Sequence, residues 1–357
     1  MAVAVRPPVL LQHYDTLETD PKTGKPKRRR IQYHRLSVEG INADLTGQLD
    51  LTKAQRLPEN EGICFMGDTK VGLFDISERT ARNMLASPNP DGALNSDVVR
   101  PWVNGIDLTG RSRGMWIVDF PPGTSQATAM RYEEPYSYVV REVRPKRILN
   151  NRGLYAEKWW IHGEPRPGMR QAIAAHRRYL GTPGVSKHRI FVWLTPDVLP
   201  DHALMAFARD DDYFFGVLQS RPHELWALEQ GTQLESRPRY TPTTTFETFP
   251  LPWPPGTEPS ADFRYLAIAE AAKELNAYRE GWLNPPPINT LPLGEAELKK
   301  RTLTNLYNEP TATLQALSRK LDEAVFAAYG WPEAPDALSD QEILARLLAL
   351  NLQRAGA

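Results

Sequence analysis

The sequence predicts an α+β protein: a mixed α/β body of short twisted strands, followed by a small all-helical C-terminal domain. Three observations carry this. Up to about Trp253, short runs rich in β-branched and aromatic residues alternate with Gly, Asn and Pro turns. Residues 250–255 then form a stiff proline-rich connector. After Gly256 the apolar residues recur at helical spacing. With 357 residues, 41% of them hydrophobic, the chain can bury one large core or two ordinary ones. Its 32 prolines, about 9% against a usual ~5%, imply many fixed turns.

Taken in order, residues 1–37 are poor in apolar periodicity and carry a basic block of Lys22, Lys25, Lys27, Arg28, Arg29 and Arg30. Like-charge blocks are solvated, so a basic arm or hairpin loop is expected, with a DNA-backbone contact as the other reading. Residues 62–67 and 115–120 read as strands. Between them Ser77 opens an amphipathic helix to about Ala86, and the turn residues 87–92 end it. Residues 169–178 read as a basic helix, 189–194 and 204–208 as strands, and 213–218 as a further apolar strand. A helix over 221–229 and an extended Thr-rich run over 240–249 complete the body. In the tail, Phe263, Leu266, Ala269, Leu275, Tyr278 and Trp282 fit one helix face. Leu314, Leu317, Leu321, Val325 and Ala328 fit another. Ser339 and Glu342 form a capping box before Ile343, Leu344, Leu347 and Leu348.

Lys+Arg and Asp+Glu are 43 each, a net charge of zero, so wholesale coating of nucleic acid is not expected. The distribution is uneven, however. Lys146, Arg147, Arg152, Lys158, Arg166, Arg170, Arg177, Arg178, Lys187 and Arg189 face only Glu157 and Glu164 across 146–189, with Trp159, Trp160, His162 and Tyr179 interleaved. Basic residues mixed with aromatics suit a groove that holds a phosphate backbone. The single Cys excludes a disulfide framework and a Cys-cluster metal site. No apolar run approaches the roughly 20 residues of a membrane helix, and no signal pattern opens the chain, so no membrane partner and a cytoplasmic location are expected.

Catalytic constellations are wanting in the sequence. It has no phosphate-binding lysine loop, no dinucleotide-binding glycine pattern and no nucleophile elbow. His223-Glu224 lacks the second His of a zinc helix and reads as a surface pair. Asp210, Asp211 and Asp212 are adjacent, cannot all face one metal, and read as turn or salt-bridge residues. Asn284-Pro285-Pro286-Pro287 lacks the aromatic that would stack on a flipped base. No catalytic residue and no metal site are expected.

Six stretches then resemble one known family: VVRPWVNGIDLT (98–109), WWIHGEPRPGMR (159–170), VSKHRIFVW (185–193), FARDDDYFFGVL (207–218), RPRYTPTTTFETFP (237–250) and LKKRTLTNLY (298–307). Together they resemble the C-terminal half of the MmeI-like, Type IIL restriction–modification enzymes and their methyltransferase relatives, from about Val38 onward. The resemblance implies a target-recognition domain over 38–255 and a helical C-terminal domain over 256–357. Residues 1–37 are then a basic arm or a remnant of a preceding methyltransferase domain. The family's S-adenosylmethionine (SAM) loop, adenine-N6 catalytic motif and nuclease carboxylates belong to upstream domains. The resemblance is thus to part of a DNA adenine-N6 methyltransferase, and neither a cofactor in this chain nor autonomous activity is expected.

Double-stranded DNA is the partner this implies. In the family, base readout comes from the segment that is 231–240 here. Glu235, Arg237 and Arg239 alternate and would project into one groove, where Arg suits guanine and Glu suits cytosine. Arg170, Arg177, Arg178, Lys187, His188, Arg189, Arg221, Lys299 and Lys300 are the candidate backbone contacts. Lys299 and Lys300 read as opening a tail helix, where cations are unfavourable without a nearby anion. Asn104 and Asp107 are expected to hold the Trp102 loop. Two further readings stay open: a split methyltransferase completed by a separate methyltransferase or nuclease chain, and a decayed, non-catalytic remnant.

Overall fold

The inner strands of the sheet at the centre of the molecule are buried on both faces, which is why residues 204–207 read as an unbroken apolar run rather than an alternating one. The computed structural model describes residues 9–16, 30–37, 49–234, 237–286 and 294–356. In chain order its strands are β1 (Val9–Thr16), β2 (Arg30–Ser37), β3 (Cys64–Met66), β4 (Asp75–Ile76), β5 (Val99–Val103), β6 (Trp116–Val118), β7 (Tyr179–Pro183), β8 (Val192–Leu194), β9 (Leu199–Pro200), β10 (Leu204–Phe207), β11 (Thr232–Leu234) and β12 (Arg237–Arg239). The α-helices are α1 (Glu78–Ala86), α2 (Gly105–Thr109), α3 (Gln126–Ala129), α4 (Glu133–Glu142), α5 (Arg144–Arg147), α6 (Gly153–Glu157), α7 (Pro167–Ala174), α8 (Asp212–Gln219), α9 (Arg221–Gln230), α10 (Phe263–Leu283), α11 (Glu295–Lys300), α12 (Leu303–Asn308), α13 (Ala312–Tyr329) and α14 (Asp340–Ala355). This is an α+β chain that ends in helices, as the sequence predicts.

The central sheet has the order β3-β10-β7-β8 and is antiparallel throughout. Successive residues of β10 serve different cores: Met205 and Phe207 join one, while Ala206 joins the other. The first core continues through Phe214, Trp226 and Phe246 into Leu275, Leu321 and Leu348, so the helices after Gly256 pack on the same apolar mass as the sheet. The second contains Phe74, Trp102, Ile117 and Phe120 together with Trp159, Trp160 and Tyr179. Beneath it lies the second sheet, β4-β6-β5-β9, where β9 joins β5 in parallel. The aromatics interleaved with the basic segment are therefore core side chains, not stacking platforms in an open groove.

Several expectations need correction. Residues 213–218 are helical, within α8. Asp211 caps it by accepting the Phe214 N–H at 2.8 Å, and every residue from Tyr213 to Leu218 is buried. A helix that is apolar all round shows no periodicity, which makes it indistinguishable from a buried strand. The Thr-rich run is not extended either: Pro242–Phe246 is a π-helical turn, closed by Glu247 N–H on the Pro242 carbonyl. On α10 the buried face is Ile268, Ala271, Ala272, Leu275 and Arg279, while Phe263 and Leu266 are 75% and 53% exposed. Of the face read from the sequence, Leu275 is buried and Ala269, Tyr278 and Trp282 pack against the core, so the reading fails only near the start of the helix, at Phe263 and Leu266. His223, expected on the surface, is fully buried.

The N-terminal strands β1 and β2 pair antiparallel, from Val9 opposite Ser37 to Thr16 opposite Arg30. The basic residues Lys22 to Arg29 lie outside the described residues. Among the described residues no helix is long and apolar enough to cross a membrane.

Candidate nucleic-acid interface

β7 ends in a loop whose path is fixed from several sides. Thr182 Oγ donates to the Ile190 carbonyl at 2.8 Å, and the Arg189 guanidinium donates to the Pro183 carbonyl. Arg189 also lies 4.9 Å from the Tyr240 ring centroid, and burial lowers its guanidinium to about 10. Gly184 donates to the Ala203 carbonyl and accepts from Tyr240 N–H, each at 2.7 Å. A Cβ at 184 would sit 3.2 Å from that Ala203 oxygen, so the close backbone approach favours glycine. Next in the loop, Val185 forms an isolated bridge with Arg239.

That bridge seats the β11–β12 hairpin on the loop. In the hairpin Thr232 opposes Arg239 and Leu234 opposes Arg237. Its takeoff from α9 depends on Gly231, where a Cβ would lie 2.7 Å from the Arg239 carbonyl oxygen. Beside the bridge opens a cleft of about 700 Å³, lined by Pro183, Val185, Ser186, Lys187 and His188 from the loop. Asn104, Gly105, Ile106 and Thr109 form another wall, with Asp201, Ala203 and Thr304 between. Lys187 Nζ and His188 Nε2 both reach Asn308 Oδ1, at 2.6 and 2.9 Å, so α12 of the tail holds the cationic rim.

Residues 173–253 match the family model for the MmeI target recognition domain. The matched segment runs from the end of α7 through the loop, the hairpin and the π-helical turn. No curated protein matches the chain. A solved structure of the Type IIL restriction-modification enzyme MmeI in complex with DNA is similar, with TM-score 0.69 and 17% sequence identity. The similarity covers 98% of this chain and 46% of that one, so the chain spans about half the length of the MmeI structure it matches. At that identity the likeness establishes the fold.

Within this MmeI-like frame, the expected site residues divide. Lys187 is exposed on the cleft rim with His188 beside it, and Arg239 is exposed on the hairpin. Arg237 lies in β12, whereas Glu235 lies outside the described residues. The structure thus brings Lys187, His188 and the Arg237–Arg239 strand to one edge. Lys300 lines an adjoining hollow with Asn305 and Asn308.

Others are placed differently. Arg170, expected on DNA, donates to both Asp119 oxygens at 2.6 and 2.8 Å and to Asp68. Burial works against the Asp119 carboxylate, but Arg170, His162 and Arg100 outweigh it and hold its carboxyl below the usual range. Arg189 is only 6% exposed and serves the loop from inside. Arg221 binds the Pro335 and Leu338 carbonyls and Asp340, tying α9 to the start of α14. These three guanidinium groups are occupied by the fold itself. Arg178 stacks 3.8 Å over Trp193 and pairs with Asp212, while Arg177 projects, 90% exposed, near Asp210.

Lys299 and Lys300 end α11 rather than open a helix, so its dipole favours them and the argument for a nearby phosphate falls. Both also pair along their own helix, with Glu295 and Glu297. Asn104 and Asp107 do hold the turn after Trp102 through a reciprocal capping box. Sequence reading missed Ile106, Thr304 and Asn308. No motif marks them, because only the fold brings α2 and α12 to the 185–188 loop.

Proposed function

We propose that the chain is the sequence-specificity module of an MmeI-like adenine-N6 DNA methyltransferase and binds duplex DNA along the cleft edge. The observation that carries this is the Val185–Arg239 bridge. It sets the strand bearing Arg237 and Arg239 beside the rim bearing Lys187 and His188. A duplex laid there would meet cations suited to phosphates and, next to them, side chains suited to guanine edges. Glu235, Arg237 and Arg239 act as base readers in this reading. The chain itself transfers no methyl group, consistent with a sequence that lacks the SAM loop and the base-stacking motif.

The test is selection of bound duplexes from a random library. The wild type should yield one preferred site. Arg239→Ala should lose discrimination at one base pair, by roughly 1–3 kcal/mol. Lys187→Ala should weaken all sequences alike and reduce the salt slope by about 1. No enriched sequence, or an unchanged preference in the Arg237→Ala and Arg239→Ala variants, would reject the assignment.

A further inference from the structure

Ile106 stands 66% exposed on the wall of the cleft, whose lining sets the apolar Pro183 and Val185 beside the polar Asn104, Lys187 and His188. Its backbone is held firmly. Asn104 Oδ1 accepts the Ile106 N–H at 3.0 Å, and Asp107 returns the bond to Asn104 N–H. Asp107 is itself gripped by the Arg113 guanidinium, at 3.0 and 2.9 Å. Gly105 lies against Pro183, and Thr304 Oγ donates to the Thr109 carbonyl at 3.1 Å. The turn is therefore braced by β7 and by α12, and a β-branched side chain adds stiffness at χ1. A rigid apolar probe loses little entropy on contact.

Resting on the DNA reading above, we propose that Ile106 is a specificity-determining residue that contacts the C5 methyl of a thymine in the major groove. The chemistry narrows the choice. Lys187 and His188 share the cleft and suit phosphate oxygens, and Arg239 across the Val185 bridge suits a guanine edge. Among the base-edge groups of a duplex, the thymine methyl is the apolar one, displayed in the major groove. Burying it against Ile106 needs no hydrogen-bond partner.

The experiment starts from the site selected by the full chain. Each thymine in turn is replaced by uracil, which removes the methyl and leaves the pairing edge intact. One replacement should weaken wild-type binding about fourfold, the effect of one buried methyl group. Ile106→Ala should bind the thymine and uracil duplexes equally, and Ile106→Val should keep most of the difference. A flat uracil series with the wild type, or the same uracil penalty in Ile106→Ala, would overturn the proposal while leaving sequence-specific binding in place. Absence of any selected site would instead reject the DNA reading itself.

Discussion

Arg170 joins two buried carboxylates: it donates to Asp119 and to Asp68, and His162 Nδ1 lies 2.8 Å from Asp68 as well. Removing it would take the closest ion-pair partner from both acids, leaving Asp68 with His162 and Asp119 with His162 and Arg100 at 3.5 Å or more, so Arg170→Ala should cost about 3 kcal/mol of stability in urea unfolding. A phosphate ligand would behave otherwise, leaving stability intact and lowering affinity for every sequence. Charge patterning along the chain could not separate these roles. Arg170 and Lys187 look alike as basic residues, and only the fold shows that one faces Asp68 and the other faces solvent. His223 presents a related case. Its Nδ1 donates to the Leu218 carbonyl at 2.7 Å and its Nε2 accepts from Tyr240 at 3.0 Å, the pattern of a neutral ring. Burial lowers its pKa to about 3, whereas the unfolded chain protonates it near the ordinary value of about 6.5. Between these values the unfolded state binds more protons. The contribution is complete above pH 6.5 and is lost as pH falls toward 3, by at most about 1.4 kcal/mol per pH unit. His223→Gln should flatten that slope in pH-dependent unfolding. An unchanged slope would mean that another group titrates.

Elements defined by local chemistry were legible in the sequence. Ser77 caps α1 and Ser339 caps α14, and Asn104 with Asp107 holds the turn after Trp102 as expected, though the short helix α2 that they open was not read; each needs only residues a few positions apart. Elements defined by what covers them were not. α8 was misread as a strand because it is covered on all sides: it packs against α10 and α13 around Gly216. A Cβ there would lie 2.7 Å from Ile268 Cγ2 and 3.1 Å from Ala272 Cβ and Leu321 Cδ1. Gly216→Ala therefore sets two effects in opposition. Helix propensity favours alanine by about 1 kcal/mol, while overpacking costs about 1–3 kcal/mol. Two of the three neighbours sit on the same α10 face, and one is a β-branched side chain with few rotamers. The overpacking should win, and thermal melting should show a net loss of stability. A stabilised variant would mean that α10 can move outward freely.

At the scale of the whole molecule, the connector at 250–255 had suggested a body and a separate helical tail. The packing bears on how the two respond to denaturant. One apolar cluster runs from Cys64 through Phe207 and Trp226 to Leu321 and Leu348. Polar ties add to it: Asn351 donates to the Gln55 and Thr248 carbonyls at 2.8 and 2.7 Å, and Arg111 binds the Leu283 and Leu298 carbonyls. The second core shares β7 and β10 with the first, since adjacent residues of those strands point to opposite faces. Melting the tail would uncover one face of the central sheet, and losing that sheet would uncover the other core. Urea unfolding should therefore follow one cooperative transition, coincident by far-UV circular dichroism and by tryptophan emission. Trp226 and Trp331 report the two sides of the connector, and a Phe substituted at either should leave the midpoints by the two probes coincident. Two separated transitions, with Trp331 changing first, would show that the tail folds on its own and that the cationic rim held by Asn308 can come apart without loss of the sheet.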